Sequence, residues 1–217
     1  MKEKVGEVFS IAKDNVPVPG CTISKEVQGG DDYISYFSLA KGTDISAEIY
    51  SYHKLIIVCD GSLEVYGAWE NSKKLVAGEA IVTPTDVTVG MRSAQGAVYA
   101  EVSLRREQVM NRLIKAGEVF RLAELVPYQD GKIVNMDVMH NGKMKFVVMS
   151  FDEGTGLSEH AAPGEAIIFA LDGEGVIVYD GKEHPIKAGE NFHFAKKGLH
   201  SVKAKQKFKM ALLLTLE

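Results

Sequence analysis

The sequence predicts an all-β protein in which one barrel-sized unit occurs twice. Three features carry this: a long internal repeat, dense runs of strand-forming residues, and turn dipeptides at short intervals. GEVFSIA begins at Gly6 and GEVFRLA at Gly117, 111 residues later. Downstream, KGTDIS (41–46) answers EGTGLS (153–158), and LIIVCDGSLEVY (55–66) answers IIFALDGEGVIVY (167–179). LVAGEAIVTP (75–84) then answers IKAGENFHFA (186–195). Two copies at so long a spacing indicate a duplicated domain, because solenoid units run to about 20–50 residues.

The elements follow in order. VGEVFSIAKDNV (5–16) reads as a strand able to extend a neighbouring sheet, removing an exposed edge. In the first unit, 1–105, Val, Ile, Phe and Tyr runs are punctuated by GG at Gly29–Gly30 and DG at Asp60–Gly61. REQVMNRLIKAG has a helical period, with Val109, Leu113 and Ile114 on one face and Gly117 as its stop. It predicts a helical linker over 106–116. The second unit, 117–217, carries NG at Asn141–Gly142 and DG at Asp172–Gly173 and Asp180–Gly181. Within it, SEHAAPGEAIIFALDGEG (158–175) reads as a buried hairpin whose first strand bears His160. Met136, Met139, Met144 and Met149 read as packing residues, and His184 as a solvent-facing turn residue. Trp69 falls in a loop between two strands.

Composition narrows the function. Of 217 residues, 46% are hydrophobic and 25% charged, which is ordinary globular material. A formal net charge of −4 gives no electrostatic case for nucleic acid or a membrane surface. The lysine-rich KKGLHSVKAKQKFK reads as a solvated strand face. No segment approaches the roughly 18 apolar residues of a membrane span, and the N-terminus lacks the apolar core of a signal peptide. Cys21 and Cys59 read as buried free thiols of a cytoplasmic protein. Walker, GxGxxG, HExxH and GxSxG motifs do not occur.

Glycine-closed hairpins and an AGE turn before a strand, once per half, make the chain resemble the cupin superfamily, in its tandem form a bicupin with degenerate metal motifs. The resemblance implies two tandem double-stranded β-helix (jelly-roll) barrels, each opening onto a cavity. In that family three His and one Glu point inward and hold one divalent metal. Carried over residue by residue, His160 takes the first histidine position and Ala162 the second. Ala166 takes the glutamate position, with Glu165 beside it. In the second motif Gly189 opens the turn, Ala195 and Lys197 replace its proline and glycine, and His200 takes the last histidine. In the first half the corresponding residues are Glu48, Tyr50 and Lys54, Pro84 is kept, and Val89 stands at the final histidine, with His53 nearby. The first half therefore reads as metal-free. Any divalent metal would sit in the second, held by His160 and His200.

The small residues of HAAPGEA leave room beside the two histidines. They suggest a pocket for a small polar ligand formed by His160, Ala162, Glu165, His193 and His200. The resemblance also implies an alternative: a mononuclear metal enzyme, dioxygenase- or isomerase-like, using His160, His200 and Glu165. A metal-free variant of that enzyme reading has His160 or His200 as general base, and the third possibility is purely structural, a stable dimer with no ligand. The expected partners are a small molecule and a second copy of the chain, as a homodimer.

Overall fold

The computed structural model describes residues 1–68, 71–103, 105 and 108–216. Trp69 lies outside these. The first half supplies β1 (Val8–Phe9), β2 (Thr22–Gln28), β3 (Tyr33–Leu39), β4 (Thr43–Ile49) and β5 (Lys54–Gly67). It continues with β6 (Lys73–Val76), β7 (Glu79–Val82), β8 (Thr88–Ser93), β9 (Ala97–Ser103) and β10 (Val109–Met110). The second half supplies β11 (Val119–Arg121), β12 (Ile133–His140), β13 (Met144–Phe151), β14 (Gly156–Ala161) and β15 (Ala166–Tyr179). It ends with β16 (Lys182–Lys187), β17 (Asn191–Phe194), β18 (Leu199–Lys203) and β19 (Phe208–Thr215). One helical turn, Ile11–Asp14, and a 3₁₀ turn, Leu122–Glu124, are the helical elements among the described residues. The chain is all-β.

The strands form two curled sheets. One runs β11-β7-β5-β9-β3-β2, with β4, β6 and β8 branching from the path. The other runs β1-β17-β15-β19-β13-β12-β10, with β14, β16 and β18 branching. Curling centres on β5 and β15, each 14 residues long. The leading part of β15 pairs with β17 and β19, and its trailing part with β16 and β18. The bend falls at a bulge between Ala170 and Asp172, beside Gly173. Its counterpart in β5 falls between Val58 and Asp60, beside Gly61. These two DG pairs are therefore bends within strands, not hairpin turns, because a left-handed glycine also serves a bulge. The expected hairpin over 158–175 is corrected too: β14 pairs with β18 and not with β15. The GG, NG and second DG pairs do connect β2–β3, β12–β13 and β15–β16.

The repeated GEVF segments exchange places. Val8 and Phe9 pair with Phe192 and Asn191 in the sheet of the second half. Val119 and Phe120, their repeat equivalents, pair with Ile81 and Ala80 in the sheet of the first. Sheet membership thus crosses the boundary placed between residues 105 and 117. The sheet extension expected of the N-terminal segment is made within the chain, on β17.

The linker is also corrected. Arg106 and Glu107 lie outside the described residues. Beyond them, Val109–Met110 pairs with Met139–His140 as an edge strand, and residues 112–113 form a turn. Asn111 gives the reason: its side-chain oxygen accepts from the Leu113 amide at 3.0 Å and its carbonyl from Ile114 at 2.9 Å. Such local bonds compete with helix. The intended apolar face is split, with Leu113 77% exposed and Ile114 buried.

Three apolar clusters hold the molecule together. Ile56, Val58, Leu63, Val65 and Tyr99 fill the interior of the first half. Ile168, Ala170, Tyr179, Phe192, Phe194 and Phe208 fill that of the second. The third, including Leu55, Ile57, Val102, Phe146, Ile167 and Leu213, joins the two halves through the opposite faces of the same strands. Met139 and Met144 are buried in it. Cys21 is exposed and Cys59 half-buried, so the expectation of two buried thiols fails for Cys21. No helix of the described residues is long and apolar enough to cross a membrane.

Candidate functional site

The best-assembled of the expected residues are His160 and His200. They are direct cross-strand partners on β14 and β18, beyond a register shift after Leu157. Their ring centroids lie 4.2 Å apart. His200 is buried and stacks on Phe194 at 4.0 Å, while His160 is exposed. The aromatic floor continues from Phe194 to Tyr179 and Phe192. Each imidazole is oriented from behind: His160 Nδ1 lies 2.9 Å from the Ser158 carbonyl and His200 Nδ1 3.0 Å from that of Gly198. A carbonyl only accepts, so both Nδ1 atoms carry the proton. Both Nε2 atoms are then left as acceptors.

The other expected residues part company with this pair. Ala162 is buried, and its carbonyl accepts from the Lys197 amide at 2.9 Å. Ala166, at the family's glutamate position, faces the second-half interior. Glu165, the residue immediately before β15, turns its side chain to the opposite side. There its carboxylate pairs with the Met1 ammonium and lies 3.5 Å from His193 Nε2. His193 faces the same outer side: its neighbours Phe192 and Phe194 belong to the interior, whereas its cross-strand partner Ile167 belongs to the core between the halves. Its Nδ1 donates to the Glu3 carbonyl at 2.8 Å. Glu165 and His193 therefore form a separate cluster under the N-terminal segment. His184, read as a solvent-facing turn residue, is instead half-buried on β16, 5.1 Å from the Phe192 ring.

This donor set does not fit the family's metal centre. Two imidazole Nε2 atoms remain where three or more ligands are usual, and the carboxylate position is a methyl group. Among the described residues there is no group of three or more His, Cys, Asp or Glu able to hold a metal ion. A cleft of about 630 Å³ opens elsewhere in the second half, lined by residues including Glu174, Val176, Lys187 and Lys205. None of the five expected pocket residues lines it.

Burial lowers the pKa of His200, with His160 adding to the effect and the Gly198 carbonyl opposing it. Burial lowers that of His193 as well, against the Glu3 carbonyl and the Glu165 carboxylate. Below the ordinary imidazole value near 6.5 the unfolded chain then binds more protons than the native one. Stability is complete above that pH and falls as the pH drops through it. Urea midpoints should decrease between about pH 7.5 and pH 5.5, a window above the ordinary carboxylate range. His200→Asn should shrink the decrease. An unchanged midpoint in the parent would show that neither histidine is held neutral.

Sequence reasoning passed over Glu101, buried 3.0 Å from Lys54 in the first half. The signal was present in AVYAEVS, a lone acid in a strand that is apolar on both faces.

The cupin domain family model matches residues 147–216, within the second half. The oxalate-binding protein of Thermotoga maritima is 30% identical over 101 residues, which are 46% of this chain and 76% of that protein. Among solved structures, the cupin 2 conserved barrel domain protein from Leptotrichia buccalis superposes with a TM-score of 0.87 at 27% identity, over 99% of this chain and 98% of that one. Salicylate 1,2-dioxygenase from Pseudaminobacter salicylatoxidans shares the fold alone, with a TM-score of 0.62 at 12% identity over 84% of this chain and 70% of that one. Curled all-β sheets and these likenesses lead to one conclusion: the chain belongs to the cupin superfamily.

Proposed function

We propose that the chain is a cytoplasmic bicupin, two tandem barrels whose second member binds a small polar acid of dicarboxylate size at the His160–His200 pair. The observation that carries this is the pair itself: two facing imidazoles, each with Nδ1 committed to a carbonyl and Nε2 left for a ligand. The oxalate-binding relative supports the ligand class. Homodimerisation through the exposed edge strand β2, where Ile23 is bare, belongs to the same reading.

Burial favours the neutral form of His200, so a carboxylate meets its Nε2 as acceptor against acceptor and binding takes up a proton. Affinity rises as pH falls, by at most about tenfold per pH unit for each proton taken up. The test is calorimetry with sodium oxalate on chelator-treated protein at several pH values, beside His160→Ala. Binding that tightens towards acid, survives chelation and weakens roughly 10- to 100-fold in the variant is expected. Binding that needs added metal, or ignores His160, overturns the reading.

A further inference from the structure

The cleft of about 630 Å³ in the second half opens on the outer surface of its barrel, and strand alternation shows why. The trailing part of β15 has β16 on one side and β18 on the other, with Val176 opposite both Pro185 and Lys203. Gly175 and Ile177 face inward: a Cβ added to Gly175 would lie 2.9 Å from the Phe208 ring, and Ile177 belongs to the second-half interior. Glu174 and Val176 therefore face outward. Val176 and the exposed Pro185 give the cleft an apolar floor.

Charged side chains stand around that floor. Glu174 is the direct cross-strand partner of Lys187, at the end of β16. Glu190 follows in the turn before β17, and Lys205 and Gln206 come from the turn between β18 and β19. All are exposed except Glu190, which is half-buried. Glu174 and Lys187 face each other without forming an ion pair, and Glu190 and Lys205 form none among the described residues. Glu190 accepts from the Lys187 amide at 3.0 Å, a contact of the turn itself. Lys203, opposite Val176, is taken up by Glu183 at 3.6 Å.

The first half treats the same places differently. Gly61 pairs with Ala97 and Gly173 with Phe208, which fixes the correspondence between the halves. In that register Ser62 and Val76 stand for Glu174 and Lys187, and Ala94 for Lys205. Glu64 and Arg92 stand for Val176 and Lys203, and there Arg92 holds Glu64 through hydrogen bonds of 2.8 and 2.9 Å. Glu79, the counterpart of Glu190, is held by Arg121 at 3.1 Å, whereas Ser10 stands where that arginine would recur. The first half thus closes these charges in pairs. The second leaves two carboxylates and two ammoniums open around an apolar floor, and the fold does not demand them, since it stands equally on Ser62, Val76 and Ala94.

This arrangement selects a ligand class. A ligand of one charge sign is attracted by half of the rim and repelled by the other half, whereas one carrying both signs gains from all of it. The floor adds burial for a hydrocarbon group. A cleft of about 630 Å³ lies within the range of about 300–1,000 Å³ usual for small-molecule sites. We propose that this cleft is a second binding site, separate from the His160–His200 pair, for a small zwitterion: a free amino acid with an apolar side chain. Lys187 and Lys205 meet its carboxylate, Glu174 and Glu190 its ammonium, and Val176 its side chain.

The test is calorimetry and saturation-transfer NMR on the full chain with L-leucine and L-phenylalanine as probes. Each is compared with its N-acetyl derivative, which keeps the carboxylate alone, and its amide, which keeps the ammonium alone. Saturable binding of at least one amino acid is expected, with both of its derivatives weaker by roughly fivefold or more. Glu174→Gln and Lys205→Gln should each weaken it roughly fivefold to tenfold. Both side chains are exposed, so neither change should move the melting temperature by more than about 2 °C. Sodium oxalate should not displace the bound amino acid. The proposal is overturned if neither amino acid binds, if a derivative binds as tightly as its parent, if oxalate displaces the bound probe, or if either variant binds as the unsubstituted chain does.

Discussion

Gly173→Ala is expected to destabilise the protein by about 2–5 kcal/mol, on the order of 10 °C in melting temperature for a chain of this size. Two effects add. The residue has φ 68°, a left-handed conformation that costs a non-glycine residue about 1–2 kcal/mol. A Cβ there would also lie 1.9 Å from the Lys207 carbonyl oxygen, a backbone atom immediately before β19. That atom cannot retreat without breaking the β15–β19 ladder, so overpacking adds about 1–3 kcal/mol. Gly61 repeats the situation, with φ 73° and the Gly96 carbonyl 2.1 Å from the added atom. Gly189→Ala is the control: its φ is 85° but nothing lies within 4 Å of the added Cβ, leaving the conformational part of about 1–2 kcal/mol. Thermal unfolding of the three variants checks this. A Gly173→Ala loss no larger than that of Gly189→Ala would mean that the bulge relaxes around the extra carbon.

These glycines also show how far the fold was legible in the sequence. The repeat announced which segments correspond, and it holds strand by strand. What it could not announce was where each strand finds its partner. A DG pair is the same local signal whether it closes a hairpin or bends one strand between two sheets, and only pairing with distant β9 or β19 decides. The GEVF exchange is hidden for the same reason. The linker failed differently: Val109, Leu113 and Ile114 have helical spacing, but Asn111 offers its own side chain to the backbone and β12 offers an open edge.

The candidate site divides along the same line. His160 and His200 could be paired from motif spacing because both positions are fixed by nearby turns. Glu165 and His193 were chosen by proximity in sequence, and a one-residue offset on a strand sends a side chain to the other face. Glu101 was missed because a single acid in a strand usually marks the solvated face. The warning was that its neighbours Ala100 and Val102 are apolar too, and so is the rest of AVYAEVS apart from its final serine. A strand without alternation is covered on both sides, and an acid within it must find a partner indoors.

That partnership makes the next prediction. Lys54→Met should cost about 3–5 kcal/mol, because it leaves the Glu101 carboxylate buried with the Tyr33 hydroxyl as its remaining donor. Glu101→Leu should cost a similar amount by stranding the ammonium beneath the Tyr50 ring. The double variant, Lys54→Met with Glu101→Leu, should recover most of the loss and lie within about 1–2 kcal/mol of the parent, since exchanging a buried ion pair for apolar residues is often neutral. The second half supports this directly: it holds Ala166 and Leu212 at the equivalent positions and packs Leu212 and Leu214 against its interior. Urea unfolding of the four proteins closes the cycle. Losses that simply add would show that the two charges do not depend on each other. Recovery would show that the fold does not need the pair.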